Sequence, residues 1–289
     1  MDTICSESRT RLYRETLNII NKYNVRPKKR LSQNFIIDPD LINTILKLVL
    51  KHKCRRVLEV GAGIGTLTKY LARVVEEVIA VEVDKRLATI LEDELAPLSN
   101  ITVINQDFLK MDLSTYDIEC IVSNTPFHIS SKILFKILNT KFKVAIMSFQ
   151  KEFAERLKAK PSTRDYSRLT VMVQLLAHVE FHGTYPPTSF YPAPEVDIVI
   201  VEILPKPPIN IDTRLLEDVL RVMFTQKNKL AYKPLQEYLR MKSLSLDNLV
   251  EHLNSQLYDK LFKCRVRDFT PEEFKVLVEA ISKCVRGKS

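Results

Sequence analysis

Four short stretches carry residue types suited to chemistry. VLEVGAGIGTLT (57–68) holds three of the chain's five glycines, and glycine permits positive φ and lets a ligand approach the main chain where a Cβ would obstruct it. Glu82 ends EVIAVEV (77–83), 21 residues beyond Gly61, a position from which a carboxylate can accept hydrogen bonds from both ribose hydroxyls. Asp107 follows ITVINQ with Phe108 beside it, where an acceptor can receive the amino group of an adenine. Asn124-Thr125-Pro126-Phe127 begins on the last residue of IECIVSN.

The glycines read G-x-G-x-G, with threonine at 66, whereas a pyrophosphate cradle reads G-x-G-x-x-G. No lysine or arginine stands directly behind the loop to neutralise a phosphate. An adenosine without phosphates fits this layout, and S-adenosylmethionine is such a ligand. Asn-Thr-Pro-Phe then supplies what methyl transfer to an amine needs. The N6 of adenine is a poor nucleophile because its lone pair is delocalised into the ring. Acceptors on its two hydrogens, the Asn124 side chain and a backbone carbonyl at the Thr125–Pro126 step, would favour a pyramidal nitrogen and stabilise its developing positive charge. Phe127 can stack on the base and hold the nitrogen in line with the methyl. The leaving group is a neutral thioether, so no general acid is required. Each acid taken alone reads as a surface solubiliser, and Asn-x-Pro-Phe as a turn before a helix capped by Ser130. Recurrence at successive strand ends favours a site.

The elements that must position these residues follow from periodicity. RRVLEV (55–60), EVIAVEV, ITVINQ (101–106), IECIVSN (118–124) and KVAIMSF (143–149) are short apolar runs that read as buried strands. GTLTKYLARV, KRLATILEDEL and residues from about Ser130 to Leu138 read as the helices between them. The succession predicts an α/β fold with a mostly parallel sheet covered on both faces. Ligands of such sheets bind beyond the carboxyl ends of the strands. Residues 8–24 predict a helix, and Asp38 before Pro39 predicts the start of another over 39–51. After a helical stretch near 151–160, LTVMVQLLAHVEF and VDIVIVEILP read as β-like runs. PKPPIN (205–210) marks a boundary, beyond which 212–284 show only helical spacing.

The formal charge is +9, and the excess sits at the ends. Residues 1–56 carry 13 Lys+Arg against 5 Asp+Glu, and 205–289 carry 16 against 11. Clusters such as RPKKR (26–30) attract polyanions. Cys5, Cys54, Cys120, Cys264 and Cys284 are odd in number, scattered and without C-x-x-C spacing, which predicts reduced structural thiols and neither a disulfide framework nor a zinc site. The five histidines form no HxxxH or HExxH pattern, so no metal is expected. No run of about 18 apolar residues suggests a membrane span, and the N-terminus lacks the order of a signal peptide; a cytoplasmic, monomeric protein is expected.

The chain resembles the ribosomal RNA adenine N6,N6-dimethyltransferases of the KsgA type, and more closely their archaeal and eukaryotic members. The carrying segments are SQNFIID (32–38), VLEVGAGIGTLT, VIAVEVD (78–84), NQDFLKMD (105–112), SNTPFHISS (123–131), QKEFAERLKAKPSTRDYSRLTVMVQ (150–174) and FYPAPEVD (190–197). The resemblance implies a Rossmann-like class I methyltransferase sheet over 28–207, a basic N-terminal extension over 1–27, and a small all-helical RNA-contacting domain over 208–289. It implies that the segment of Gln33, Asn34 and Ile36 folds over S-adenosylmethionine, and that Gly61 and Gly63 approach it. Glu82 would hold its ribose, and Asp107 with Phe108 its adenine. Asn124, Pro126 and Phe127 would hold the target adenine, and an aromatic of Phe190-Tyr191 its other face. The implied partner is small-subunit rRNA or its precursor particle, dimethylated at two adjacent adenosines near the 3′ end. Thr125 stands where the family usually has leucine, GAG where GPG is common, and F-T-Q-K-N-K-L (224–230) where F-x-x-R-R-K-x-L is frequent. Two alternatives remain open: an adenine of another RNA such as large-subunit rRNA, and an assembly factor with weak or no activity.

Overall fold

The structure, a computed structural model, describes residues 5–28, 31–209 and 211–286. The chain divides into two compact units. One comprises the chain up to Ala154 together with Val179–Pro205; the other comprises Glu155–His178 and the chain from Lys206 onward. The last crossing between the units falls between Pro205 and Lys206, and Glu155–His178, inside the span 28–207, belongs to the second unit.

The first unit begins with α1 (Arg9–Lys22), β1 (Phe35–Ile36), α2 (Pro39–Lys51), β2 (Arg56–Val60) and the one-turn α3 (Thr68–Leu71). It continues with β3 (Glu77–Glu82), α4 (Lys85–Leu95), β4 (Ile101–Asn105), β5 (Cys120–Asn124), α5 (Ser130–Leu138) and β6 (Val144–Gln150). After β6, α6 (Lys151–Leu157) and α7 (Arg168–Leu176) precede β7 (Ala177–Tyr185), β8 (Phe190–Tyr191) and β9 (Ile198–Pro205). Among the described residues a seven-stranded sheet runs in the order β4-β3-β2-β5-β6-β9-β7. β4 to β6 are mutually parallel, and β9 is antiparallel to β6. Val60, Glu82, Asn105 and Asn124 therefore end neighbouring strands on one edge of the sheet. β1 and β8 form a separate antiparallel pair, Phe35 opposite Tyr191 and Ile36 opposite Phe190.

Local sequence explains most boundaries. Asp38 caps α2, its Oδ1 accepting from Asp40 N at 3.0 Å, with Pro39 at the first helical position. The apolar face of α2 (Leu41, Ile42, Ile45, Leu46, Val49) is buried in the same core as Val57, Val122 and Ile146 of the sheet. Gly65 adopts φ +85°, and a Cβ there would sit 2.6 Å from Leu91 Cδ1 and 2.9 Å from Leu95 Cδ1. Close packing of α4 on the loop, as well as the turn, thus requires glycine.

Four expectations need correction. LTVMVQLL is the helix α7, and only the residues from Ala177 are strand. The capping box of Ser167 and Thr170, with burial in the helical unit, overrides the β-branched run. The helix expected through GTLTKYLARV is reduced to the single turn α3. Ser130 is the first helical residue of α5, not its cap, and its hydroxyl donates to the Pro126 carbonyl at 3.3 Å. Cys54 and Cys120 are joined as a disulfide, with Cα atoms 5.9 Å apart, so they are not the reduced thiols expected. Cys120 lies opposite Val57 in the parallel β2–β5 pair, a neighbourhood that a separation of 66 residues hides. Cys5, Cys264 and Cys284 are free.

At the other edge of the strands Glu202 of β9 is fully buried, 0% exposed. It accepts hydrogen bonds from His52 Nε2, from His182 Nε2 at 2.5 Å and from Lys51 Nζ at 3.1 Å. Burial alone would raise its pKa, but the donors outweigh it and hold the carboxyl below its ordinary value. A carboxyl depressed in the folded state stabilises the fold above its unfolded pKa of about 4.3, and that contribution is lost as pH falls through the folded value. Glu202→Gln is expected to lower stability at pH 7 by about 1–3 kcal/mol in urea unfolding. The gap between variant and wild type should close below about pH 4.

The helical unit contains α7, α8 (Thr213–Met223), α9 (Tyr232–Met241), α10 (Leu246–Val250), α11 (Ser255–Lys263) and α12 (Pro271–Arg286). Asp212 caps α8, its Oδ1 accepting from Arg214 N at 2.9 Å. Leu216, Leu220, Met223, Leu235, Leu261, Phe274 and Leu277 are fully buried, and Tyr166 donates to the Phe269 carbonyl at 2.8 Å. Among the described residues no helix is long and apolar enough to cross a membrane.

Candidate active site

A cavity lies at the carboxyl edge of β2, β3 and β5, lined by Gln33, Asn34, Ile36, Gly61, Gly63, Glu82, Asn124 and Pro126. Glu59, Ala62, Thr66, Leu67, Val83, Leu87 and His128 complete much of the wall. Segments far apart in sequence meet here because their strands are neighbours. Gly61 and Gly63 have φ of +78° and +62°. A Cβ on Gly61 would lie 3.5 Å from Pro126 Cγ, and one on Gly63 would lie 3.3 Å from Phe35 Cε1. The glycine loop therefore touches both the Asn-Thr-Pro-Phe turn and the segment folded above it.

Glu82, 6% exposed, accepts from Gly63 N through Oε2 at 2.8 Å and from Asp84 N through Oε1 at 2.9 Å. Burial raises its pKa against these two bonds. Its carboxylate thus clamps the loop to the end of β3 while facing the cavity. Lys69, the first cation after the loop, is turned to Glu15 at 2.6 Å, which leaves the loop to a ligand without phosphates.

The Ser32–Ile36 segment crosses above. Ser32 takes φ +50°, and its hydroxyl lies 3.3 Å from His128 Nδ1. Gln33 accepts from Lys28 N at 2.8 Å and donates to Asp84 at 3.3 Å. Asn34 contributes its backbone carbonyl, which accepts from Asn124 Nδ2 at 2.7 Å. Asn124 Oδ1 accepts from Ser148 Oγ at 2.8 Å. Thr125 is buried, its hydroxyl donating to the Ser123 carbonyl at 3.5 Å, so a residue smaller than leucine is accommodated without an unpaired polar group.

Other expected residues stand apart from this wall. Asp107 caps the turn that begins at Phe108, accepting from Leu109 N at 2.9 Å. Phe108 is buried, with Lys136 Nζ 5.1 Å from its ring centre. Phe127 is partly buried against the core beside α2 and the sheet. Phe190 is 2% exposed, and Tyr191 meets Tyr13 edge to face at 5.5 Å. Pairing of β1 with β8 ties both aromatics to Phe35 and Ile36. Of the basic cluster RPKKR, Arg26 is exposed, Lys28 is paired with Asp84 at 2.6 Å, and Lys29 and Arg30 lie outside the described residues. In the helical unit Lys227 Nζ donates to the Arg164 carbonyl at 2.7 Å, so one of the two lysines retained in F-T-Q-K-N-K-L braces the fold.

Sequence reasoning missed Glu59, which the alternation of VLEV disguises as one more core position of β2. It is 2% exposed and lines the cavity, and its Oε2 has no hydrogen-bond partner among the described residues. Burial, reinforced by the charge of Glu82, pushes its pKa up to about 8. A buried carboxyl with one oxygen unpartnered fits a cationic ligand group, and the amino-acid end of S-adenosylmethionine carries an ammonium. An ammonium paired with Glu59 would require the ionised carboxylate, so binding is expected to release a proton below about pH 8 and to weaken as pH falls. Calorimetry with S-adenosylhomocysteine, the demethylated product, is expected to show the Kd rising by up to tenfold per unit as pH drops from about 8 to 6. Glu59→Gln should flatten that dependence.

The family model for ribosomal RNA adenine dimethylase matches residues 24–265. The chain is 37% identical over 262 residues to the probable ribosomal RNA small subunit methyltransferase A of Methanosphaera stadtmanae, covering 90% of this chain and 95% of that protein. Among solved structures, it resembles a dimethyladenosine transferase from Plasmodium falciparum with a TM-score of 0.70 at 25% identity, covering 87% of this chain and 98% of that one. It resembles the 23S rRNA methyltransferase ErmE with a TM-score of 0.57 at 28% identity, covering 86% and 100%.

Proposed function

The chain belongs to the ribosomal RNA adenine dimethylase family, and from that premise we propose that it transfers methyl groups from S-adenosylmethionine to N6 of two adjacent adenosines near the 3′ end of small-subunit rRNA. The observation that carries the reading is the convergence, at one strand edge, of the Gly61–Gly63 loop clamped by Glu82 with Asn124 and Pro126. Bound S-adenosylmethionine supplies a methyl on a sulfonium whose bonding pair returns to sulfur, leaving a neutral thioether.

The chain's own residues then hold the cofactor and the target base. Glu82 holds the ribose, Glu59 faces the ammonium, and the segment of Gln33, Asn34 and Ile36 covers the methionine end. Asp107 and Phe108, beyond β4, take the adenine of the cofactor. Asn124 Oδ1 accepts one N6–H of the target base and the Thr125 carbonyl the other; the Pro126 carbonyl already accepts from Ile129 N at 3.1 Å. Both acceptors localise the nitrogen lone pair and stabilise the positive charge that grows as the N–C bond forms and the S–C bond breaks. The cationic nitrogen then loses a proton to solvent water, which frees the lone pair for a second transfer. Phe127 stacks on the base, with Phe190-Tyr191 toward its other face.

Phosphate contacts give RNA affinity that is independent of sequence and sensitive to salt. Residues 1–27 and the helical region 208–289 are the candidates, supported by the basic excess at both ends of the chain. The reading carries with it a cytoplasmic monomer acting on the small-subunit precursor. Transfer of labelled methyl to unmodified small subunits tests it.

A further inference from the structure

Asn124 is useful to the reaction only if its amide presents oxygen, not nitrogen, to the amine. An asparagine side chain can rotate by half a turn with little change of shape, so something must fix its direction. The structure holds a chain of hydrogen bonds whose polarity is set at the Asn34 carbonyl and matched at Ser148. Thr125 N donates to Ser148 Oγ at 3.0 Å, and Ser148 Oγ donates to Asn124 Oδ1 at 2.8 Å. A backbone N–H can only donate, so Ser148 uses one lone pair on Thr125 and keeps its own proton to give, which the amide oxygen takes. At the other end the Asn34 carbonyl can only accept, and it takes Asn124 Nδ2 at 2.7 Å. The Asn34 carbonyl fixes the orientation, and only in that orientation does the Ser148 proton find an acceptor on Asn124. Ser148 lies opposite Asn124 in the parallel β5–β6 register and is 0% exposed, so no water competes for the link.

We propose that Ser148 is a positioning residue for methyl transfer: it locks the Asn124 amide with its oxygen toward the target amine. An amide oxygen has two lone pairs; Ser148 engages one and leaves the other for N6–H. The Ser148 hydrogen bond is already formed in the resting site, so the amide needs no reorganisation when the amine arrives. This inference rests on the proposed role of Asn124, and Ser148 itself touches no substrate atom.

Ser148→Thr and Ser148→Val share a shape and differ by the hydroxyl, so their comparison isolates the hydrogen bond from the added bulk. Full-length variants are assayed for methyl transfer to unmodified small subunits, with S-adenosylmethionine affinity measured separately. The threonine variant is expected to exceed the valine variant at least tenfold in kcat. Ser148→Ala should match valine, and cofactor Kd should stay within about threefold throughout, since the clamp at Glu82 is untouched. Equal kcat for threonine and valine overturns the proposal, as does a loss of cofactor affinity that accounts for the loss in rate. Wild-type turnover in Asn124→Ala would instead remove the underlying reading, an outcome distinct from failure at Ser148.

Discussion

Asn124→Ala is expected to reduce methyl transfer by about 10²–10³-fold, the effect of removing one preorganised group that stabilises developing charge, while S-adenosylmethionine binds within about threefold of wild type. The split follows from geometry. Asn124 lies at the end of β5, beyond the glycine loop, and its Nδ2 bond to the Asn34 carbonyl is one of several that hold the covering segment. Gln33 remains anchored to Lys28 N and Asp84, and the β1–β8 pairing remains intact without it. Rate and cofactor affinity therefore depend on different residues. Single-turnover transfer alongside calorimetry checks this, and turnover near that of wild type would mean that the amine is held elsewhere.

The second large effect is at Glu82. Glu82→Ala is expected to raise the Kd for S-adenosylmethionine by about 10²–10³-fold, because hydrogen bonds to a charged group contribute about 1.5–3 kcal/mol each and the substitution removes several at once. The carboxylate holds Gly63 N at 2.8 Å and Asp84 N at 2.9 Å, so its loss releases the loop as well as the ribose acceptor. Glu82→Gln keeps one acceptor oxygen and should lose about tenfold. A Kd within threefold of wild type in the alanine variant would show that the ribose is bound by other groups.

Residues at strand ends were legible in the sequence because the position itself is the signal. Gly61, Gly63, Glu82 and Asn124 each close a short apolar run, and parallel pairing brings those ends to one edge. Glu59 and Ser148 escape such reading because they stand inside apolar runs, VLEV and AIMSFQ, where a polar residue has no periodic mark. Only the neighbours show that one faces the cavity and the other faces Asn124. Val171, Met172 and Val173 look like strand in α7, and the capping box of Ser167 and Thr170 overrides them. The Cys54–Cys120 disulfide depends on which strands adjoin, and spacing along the chain does not encode that. The motif leaves open which aromatic of Phe190-Tyr191 covers the base, and burial of Phe190 opposite Ile36 makes Tyr191 the more accessible of the pair.

The most direct test is transfer of methyl label from S-adenosylmethionine to small ribosomal subunits that lack the modification, with large subunits as the control, followed by mapping of the label. The account predicts label on the small subunit alone, on two adjacent adenosines near the 3′ end of its rRNA and recovered as N6,N6-dimethyladenosine. Label confined to the large subunit, or no label on either with the Glu82 clamp binding cofactor normally, would contradict it.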